Sequence, residues 1–407
     1  MYQYNNKSRY IRQSKTRIES SRFLYTVIMA FLFLMAMNFN NRVFYCAVVV
    51  FALVLFVRFK KYDIPLAILS SLALMVSMLL FSSNTQGNIT FFLQPVVYPM
   101  CVLTGYNIAE GESGKQTRRN ILLIVLVLSA GAYGHYLLNM FSNLGKSIDR
   151  NTFDFWTKSA LSATGQALMA FMMIGVAVSV FFTTEKNAYK MLAVAALISI
   201  LYYNLILGGR TIIVLIVLLF AVNMFIIWGS TKDPWKLIRG MTVMLIIIAL
   251  ILLVLRNNLF GIMDTISKSN LYQRFFTKYG ASELTEDGRM NHKLMYIKYM
   301  LDYPFGRNEL GRLVGDYAHD IILDTYSMAG IFACGAVIVM LTDAIIQCVK
   351  ILRDKEIDRK LKSMILNVMV SIFVAFASEP ILFGAPWLFA SFCVIYGSIK
   401  RLTESQQ

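Results

Sequence analysis

The chain has 407 residues, 57% of them hydrophobic and 15% charged, and a formal net charge of +16; its mean hydropathy is +0.59. A soluble domain carries about a quarter charged residues, and a cationic nucleic-acid binder gathers its basic residues on one face, whereas here they are spread over short loops between apolar runs. Both of those classes are excluded, and so is a β-barrel, whose spans alternate in polarity.

In chain order, residues 1–21 form a basic tail with Lys7, Arg9, Arg12, Lys15 and Arg17 and no small-residue cleavage site before the first apolar run. The tail reads as cytoplasmic, not as a cleaved signal. Apolar runs follow at 22–38, 42–59, 63–82, 89–108, 120–142, 158–182, 189–207, 211–229, 238–256, 319–349, 363–379 and 384–399. Each can cross a hydrocarbon core of roughly 30 Å as a helix. The expected fold is therefore all-α: a polytopic membrane protein of about 12 transmembrane helices. Nine spans lie within 22–256, a large outer loop occupies 257–318, three spans lie within 319–400, and 401–407 is a second cytoplasmic tail. Pro95 and Pro99 interrupt the fourth run, which is expected to be kinked or re-entrant.

The alternate short loops RFKKYD, AEGESGKQTRRN, TTEKNAYK, GSTKDPWKLIRG and KILRDKEIDRKLK, together with the two tails, hold most of the 39 Lys and Arg. That bias places these loops and both termini in the cytoplasm. Within the outer loop, Met290, Leu294, Ile297 and Leu301 recur at helical spacing, with Arg289, Lys293 and Lys298 away from them. This spacing predicts an amphipathic helix on the outer membrane surface. Cys46, Cys101, Cys334, Cys348 and Cys393 all fall in or at the ends of apolar runs and read as buried thiols; none forms a CxxC pair, so neither a disulfide framework nor a metal site is expected.

No DxD, HExxH, GxSxG or Walker sequence occurs. A nucleotide-sugar transferase or an ATP-driven pump has no support, and chemistry on the outer face would run without ATP. The polar residues that could act there gather at outer helix ends. Gly208 and Gly209 precede Arg210 at the start of an inward-running span, where two glycines would let a pyrophosphate approach the backbone. A helix N-terminus already disfavours a cation, and a phosphate nearby would relieve Arg210; the alternative is an arginine snorkelling to headgroups. Arg289 falls in the first turn of the surface helix and faces the same choice, with Thr285 or Asp287 as its cap. His319 opens the tenth span at a membrane–water boundary, either as a base or as an interfacial anchor, and Asp320 beside it is either an acceptor-orienting residue or a helix cap. Glu379 ends the eleventh span, either orienting a hydroxyl or the histidine, or solvated in a loop. Arg274 in the outer loop is a further orienting candidate. His135 reads as packed within its span and His292 as a polar-face residue.

The order of these pieces resembles a known family. Gly-Gly-Arg at 208–210 is followed by Gly288-Arg289 in a long outer loop, then Pro304-Phe305-Gly306, then His319-Asp320-Ile321-Ile322-Leu323 opening the next span. This is similar to the O-antigen ligase and polymerase (Wzy/WaaL-type) family of bacterial envelope enzymes, over roughly Leu207 to Gly335. The chain has Asp320 where the family often has Asn, Lys293 where it often has Trp, and Gly306-Arg307-Asn308 where Gly-x-Gly is usual. The resemblance implies a metal-independent, cofactor-free glycosyltransferase of the bacterial inner membrane. Its donor would be a saccharide on undecaprenyl pyrophosphate in the outer leaflet, with Arg210 and Arg289 holding the pyrophosphate and His319 as general base. A flippase and a chain-length regulator would be its partners. A polymerase is the first expectation, a ligase to lipid A-core the near alternative, and a lipid-linked oligosaccharide flippase the alternative of another class.

Overall fold

The computed structural model describes residues 22–57, 66–83, 89–111, 113–145, 151–230, 288–315 and 317–404, with a few isolated positions between 242 and 272. The expected ninth span at 238–256, the first part of the outer loop with Arg274, Thr285 and Asp287, the tail 1–21 and residues 405–407 lie outside these residues.

Fourteen helices run through the described residues. The first eight are α1 (Arg22–Ala36), α2 (Val43–Val57), α3 (Leu66–Phe81), α4 (Ile89–Ala109), α5 (Gly114–Asn143), α6 (Ala163–Thr183), α7 (Asn187–Leu207) and α8 (Thr211–Ser230). After the gap come α9 (Gly288–Tyr299), α10 (Glu309–Val314), α11 (Ile321–Arg353), α12 (Arg359–Ser378), α13 (Ile381–Gly384) and α14 (Pro386–Glu404). Five of these (α5, α6, α7, α11 and α12) are long and apolar enough to cross a membrane. The all-α expectation needs one amendment: β1 (Asn151–Phe153) and β2 (Ala160–Ser162) form an antiparallel hairpin in the loop before α6. Six strand residues leave no periodicity long enough to read. The fourth run is one continuous helix with Pro95 and Pro99 inside it.

Contacts fix which helix ends share a level. Arg359 at the start of α12 donates to the Phe182 carbonyl at the end of α6 (3.2 Å), so these helices run in opposite directions. Asn223 of α8 exchanges amide hydrogen bonds with Asn367 of α12 (2.9 and 3.2 Å), and Ser363 donates to the same Asn223 (2.6 Å). Satisfied polar side chains of this kind hold apolar helices in register. At about 1.5 Å rise per residue, Thr211 and Glu379 each stand about 18 Å from the Asn223–Asn367 contact, on one end of the bundle. That end carries the β-hairpin and is called the hairpin end. It also holds Ser83, whose hydroxyl meets Asn308 (3.0 Å), and Leu382, whose carbonyl accepts from Gln94 (2.6 Å). The opposite end is closed by Arg401–Glu110 (2.6 Å) and by Tyr106 donating to Glu404 (2.7 Å).

The tightest helix pair is α4 with α14. A Cβ at Gly105 would collide with the Val394 carbonyl, and one at Gly397 with the Val102 carbonyl. Small residues let the two backbones close, which is how helices gain packing energy where no water is displaced. Toward the opposite end, α11 is tied to α14 by Asp343, which accepts from Tyr396 (2.5 Å) and Gln347 (2.7 Å) with Lys400 at 3.4 Å; Thr403 donates to Gln347 (2.8 Å). All five cysteines are buried and free, as expected of core thiols.

The β-hairpin is pinned by side chains of α5. Asn143 donates to and accepts from Phe153, and Asn139 accepts from the Phe155 N–H at 2.7 Å. Asp154 turns inward to His135, Oδ2 to Nε2 at 2.8 Å, while its Oδ1 accepts from the Trp156 and Thr157 N–H groups. Burial disfavours the charged Asp154, but the hydrogen bonds from His135 and Thr157 outweigh it and hold the carboxyl down at about 2. His135 is thus buried, as expected, but with a partner from a distant loop.

Two outcomes follow from this packing. Gly397→Val should lower the stability of the purified protein by about 1–3 kcal/mol, since the backbone facing it cannot move aside. Gly335→Ala, which meets open space, should leave it unchanged; apparent melting temperatures in detergent compare the two. The Asp154 carboxyl has its folded-state pKa depressed, so its contribution is full above pH ~4 and is lost as pH falls toward 2. Asp154→Asn should remove that segment of the acid-unfolding profile and leave the rest.

Candidate functional site

The site is built on a break in α11. Gly330 has φ 80° and ψ −171° within that helix, which removes backbone bonds of the helical ladder there. An apolar bundle cannot leave such groups bare. The segment Pro304–Asn308 supplies the partners: the Pro304 carbonyl accepts from Ile331 N–H (2.9 Å), and Asn308 N–H donates to the Ser327 carbonyl (2.7 Å). Gly306 has φ 73°, and a Cβ there would meet the backbone of Tyr326, Ser327 and Gly330; a Cβ at Gly330 would meet Pro304 and Phe305. The Pro-x-Gly read from the sequence is therefore the plug for the broken helix. Phe305 stacks on Phe81 of α3 at 5.1 Å, and the Tyr326 hydroxyl donates to the Met300 carbonyl.

This plug brings α9 and the start of α11 to the end of α12. Asp320 is the N-cap of α11, accepting from the Leu323 N–H (2.8 Å). Its other oxygen faces Lys293 Nζ of α9 at 3.3 Å, and the same ammonium donates to the Ala377 carbonyl at the end of α12 (3.3 Å). His319 stands between these helix ends with φ 57°, a left-handed conformation unusual for a side chain with a Cβ. Such strain costs on the order of 1–3 kcal/mol and tends to sit at functional positions. Its Nδ1 is 4.0 Å from Glu379 Oε2, and Glu379 is only 7% exposed. Glu379 is therefore a buried carboxylate facing the histidine, not a solvated loop residue.

The remaining candidates divide. Gly208 is the left-handed C-cap of α7 (φ 74°), donating to the Asn204 carbonyl at 2.8 Å. Gly209 is gripped by Asn204, whose amide donates to its carbonyl (2.6 Å) and whose Oδ1 fills the place of a Cβ. Both glycines have a structural reason, and the turn they make sets Arg210 immediately before α8, half-buried, its carbonyl accepting from Ile213 and Val214. Arg210 shares the hairpin end with His319 and Glu379. Arg289 belongs to the first turn of α9, one turn before Lys293; its side chain, like Arg274, lies outside the described residues. Met290, Leu294, Ile297 and Leu301 are all more than half exposed, so the apolar face expected on this segment is turned away from the protein.

Two members of the site went unread in the sequence. Helical spacing puts Lys293 on a polar face and the family comparison marks it as a departure, but its bridge to Asp320 joins residues with no periodic relation. Asp324 of α11 is 1% exposed; its Oδ1 accepts from the Ala318 N–H (3.0 Å), and its Oδ2 has no hydrogen-bond partner among the described residues. Asp320, Lys293 and Glu379 are its charged neighbours. An acid lying four residues past a cap in an apolar run was the signal available.

No family model matches the chain, and no curated protein matches it.

Asp320→Ala removes both the cap and the Lys293 bridge. The capping loss alone should cost about 0.5–2 kcal/mol, read as a lower apparent melting temperature. Asp320→Asn keeps a side-chain acceptor for the cap and loses the charge pair, so it should recover most of the difference.

Proposed function

We propose that the protein is a polysaccharide polymerase that joins repeat units carried on undecaprenyl pyrophosphate, with its reaction at the hairpin end of the bundle. The observation that carries this reading is the convergence at one end of His319, held in a strained backbone conformation 4.0 Å from buried Glu379, with Arg210 at the same end. The loop expected to be shared with the O-antigen ligase and polymerase family acts here as the plug that builds the His319 turn. Two of the positions where the chain departs from that family, Lys293 and Asp320, pair with each other at 3.3 Å.

In this reading the chain has about 12 spans, sits in the bacterial inner membrane and keeps both termini in the cytoplasm. Lys115, Arg118, Arg119, Lys355, Lys360 and Arg401 gather at the end opposite the hairpin, which supports placing that end inside. The exposed apolar face of α9 lies on the outer leaflet and covers the polyprenyl chain.

The acceptor hydroxyl attacks the anomeric carbon of the donor saccharide. The bond from that carbon to the pyrophosphate oxygen breaks, and its electron pair leaves with the lipid pyrophosphate. The hydroxyl proton passes to the His319 imidazole, and Glu379 orients the ring as it closes to hydrogen-bond distance. Charge growing on the pyrophosphate is met by the guanidiniums of Arg210 and Arg289, groups suited to bidentate contact with phosphate oxygens.

In the native host, Arg210→Ala, Arg289→Ala and His319→Ala should each abolish long-chain glycan at normal protein levels, the histidine change by roughly 10²–10⁴-fold in rate. Gel profiles of the glycan give the readout. Long chains persisting in all three variants would overturn the reading, and full-length polymer stranded on the lipid carrier would assign a ligase instead.

A further inference from the structure

A cavity of about 400 Å³ opens beside the His319 turn, lined among others by Tyr296, Asn308, Arg312, Tyr317, Asp324, Ser327 and Phe383. Its lining combines aromatic rings with an amide, a hydroxyl, a guanidinium and one carboxylate. Asp324 lines the cavity, and its buried Oδ2 has no hydrogen-bond partner among the described residues. A buried carboxyl oxygen left unmet costs free energy, and no group among the described residues meets this one, so the position suits a hydrogen-bonding group of a bound ligand. Lys293 does not supply it, because its ammonium is engaged by Asp320 and the Ala377 carbonyl.

The rings limit what that donor is. Tyr317 and Phe383 lie with centroids 5.2 Å apart at one side of the cavity, and the Tyr296 hydroxyl group stands close to Gly311 at another. Rings that can cover an apolar face, with acceptors and donors set around the edge, suit a hydroxyl-bearing ring such as a pyranose. A metal cation fits worse, since Asp324 is the one carboxylate among the described residues of the lining and Arg312 stands with it. The peptide segment 317–324 joins the cavity to the histidine: Tyr317 lines it, His319 sits two residues on, and Asp324 closes the turn through the Ala318 N–H.

We infer that this cavity is the acceptor-saccharide subsite and that Asp324 is a positioning residue, its Oδ2 accepting a hydrogen bond from an acceptor ring hydroxyl beside the one His319 deprotonates. The inference deepens the glycosyl-transfer reading and rests on it for the identity of the ligand.

The test uses the full chain in lipid nanodiscs and, as probe, the repeat-unit oligosaccharide released from the host's own lipid carrier. Saturation-transfer NMR titration reads binding without requiring turnover. Asp324→Asn keeps the side-chain shape and an oxygen for the Ala318 N–H but turns the second position into a donor, so affinity should fall at least about tenfold. Tyr317→Ala, at a 44% exposed residue on the rim, should weaken binding similarly and is safe for folding if the buried change is not. Unchanged affinity in the variants that fold, or no saturation transfer from the unaltered protein to the oligosaccharide, overturns the assignment. Failure of the wider reading looks different: His319→Ala would then leave glycan length unaltered in cells, whatever the cavity binds.

Discussion

A helix interrupted inside an apolar bundle must find partners for the backbone groups it frees, and the candidate site hangs on how this chain does so. The Pro304–Asn308 segment enters the gap at Gly330 and returns one donor and one acceptor to α11. Because that segment follows α9 directly and leads into α10, the same contact docks the whole region before α11 onto the bundle. His319, Asp320 and Asp324 then occupy one tight turn above the broken helix, facing the end of α12. Without the plug neither Lys293 nor Glu379 would have a fixed relation to the histidine.

Much of the architecture was legible because membrane helices announce themselves by composition. The apolar runs, their order and the exposed apolar stripe of α9 all follow from hydropathy and helical spacing. Gly-Gly-Arg and Pro-x-Gly were legible as motifs but not as parts: the glycines at 208 and 209 shape a helix turn, and Gly306 serves a helix that begins fifteen residues later. The pairs His135–Asp154, Lys293–Asp320 and Asp343–Tyr396 were illegible for a common reason. Each joins segments that sequence spacing cannot relate, and a polar residue in an apolar run gives no hint of which distant partner satisfies it. The β-hairpin escaped because its strands are three residues each.

A broken helix and buried acids are also what a transporter would show. Here the break is filled by the chain's own backbone, and Asp343 is engaged by Tyr396, Gln347 and Lys400 between two helices. Both features therefore read as fixed joints, and the polar groups near His319 stand at one end of the bundle instead of along a path through it. That distribution favours chemistry at a surface over passage across it.

Lys293 reaches two helices at once, touching the cap of α11 and the last turn of α12. The outward flank of α9 is exposed and apolar, while its inward flank carries this one ammonium. A shift of α9 along its own axis would therefore be handed to the two helix ends that flank the imidazole, and Lys293 is the lever that would transmit it.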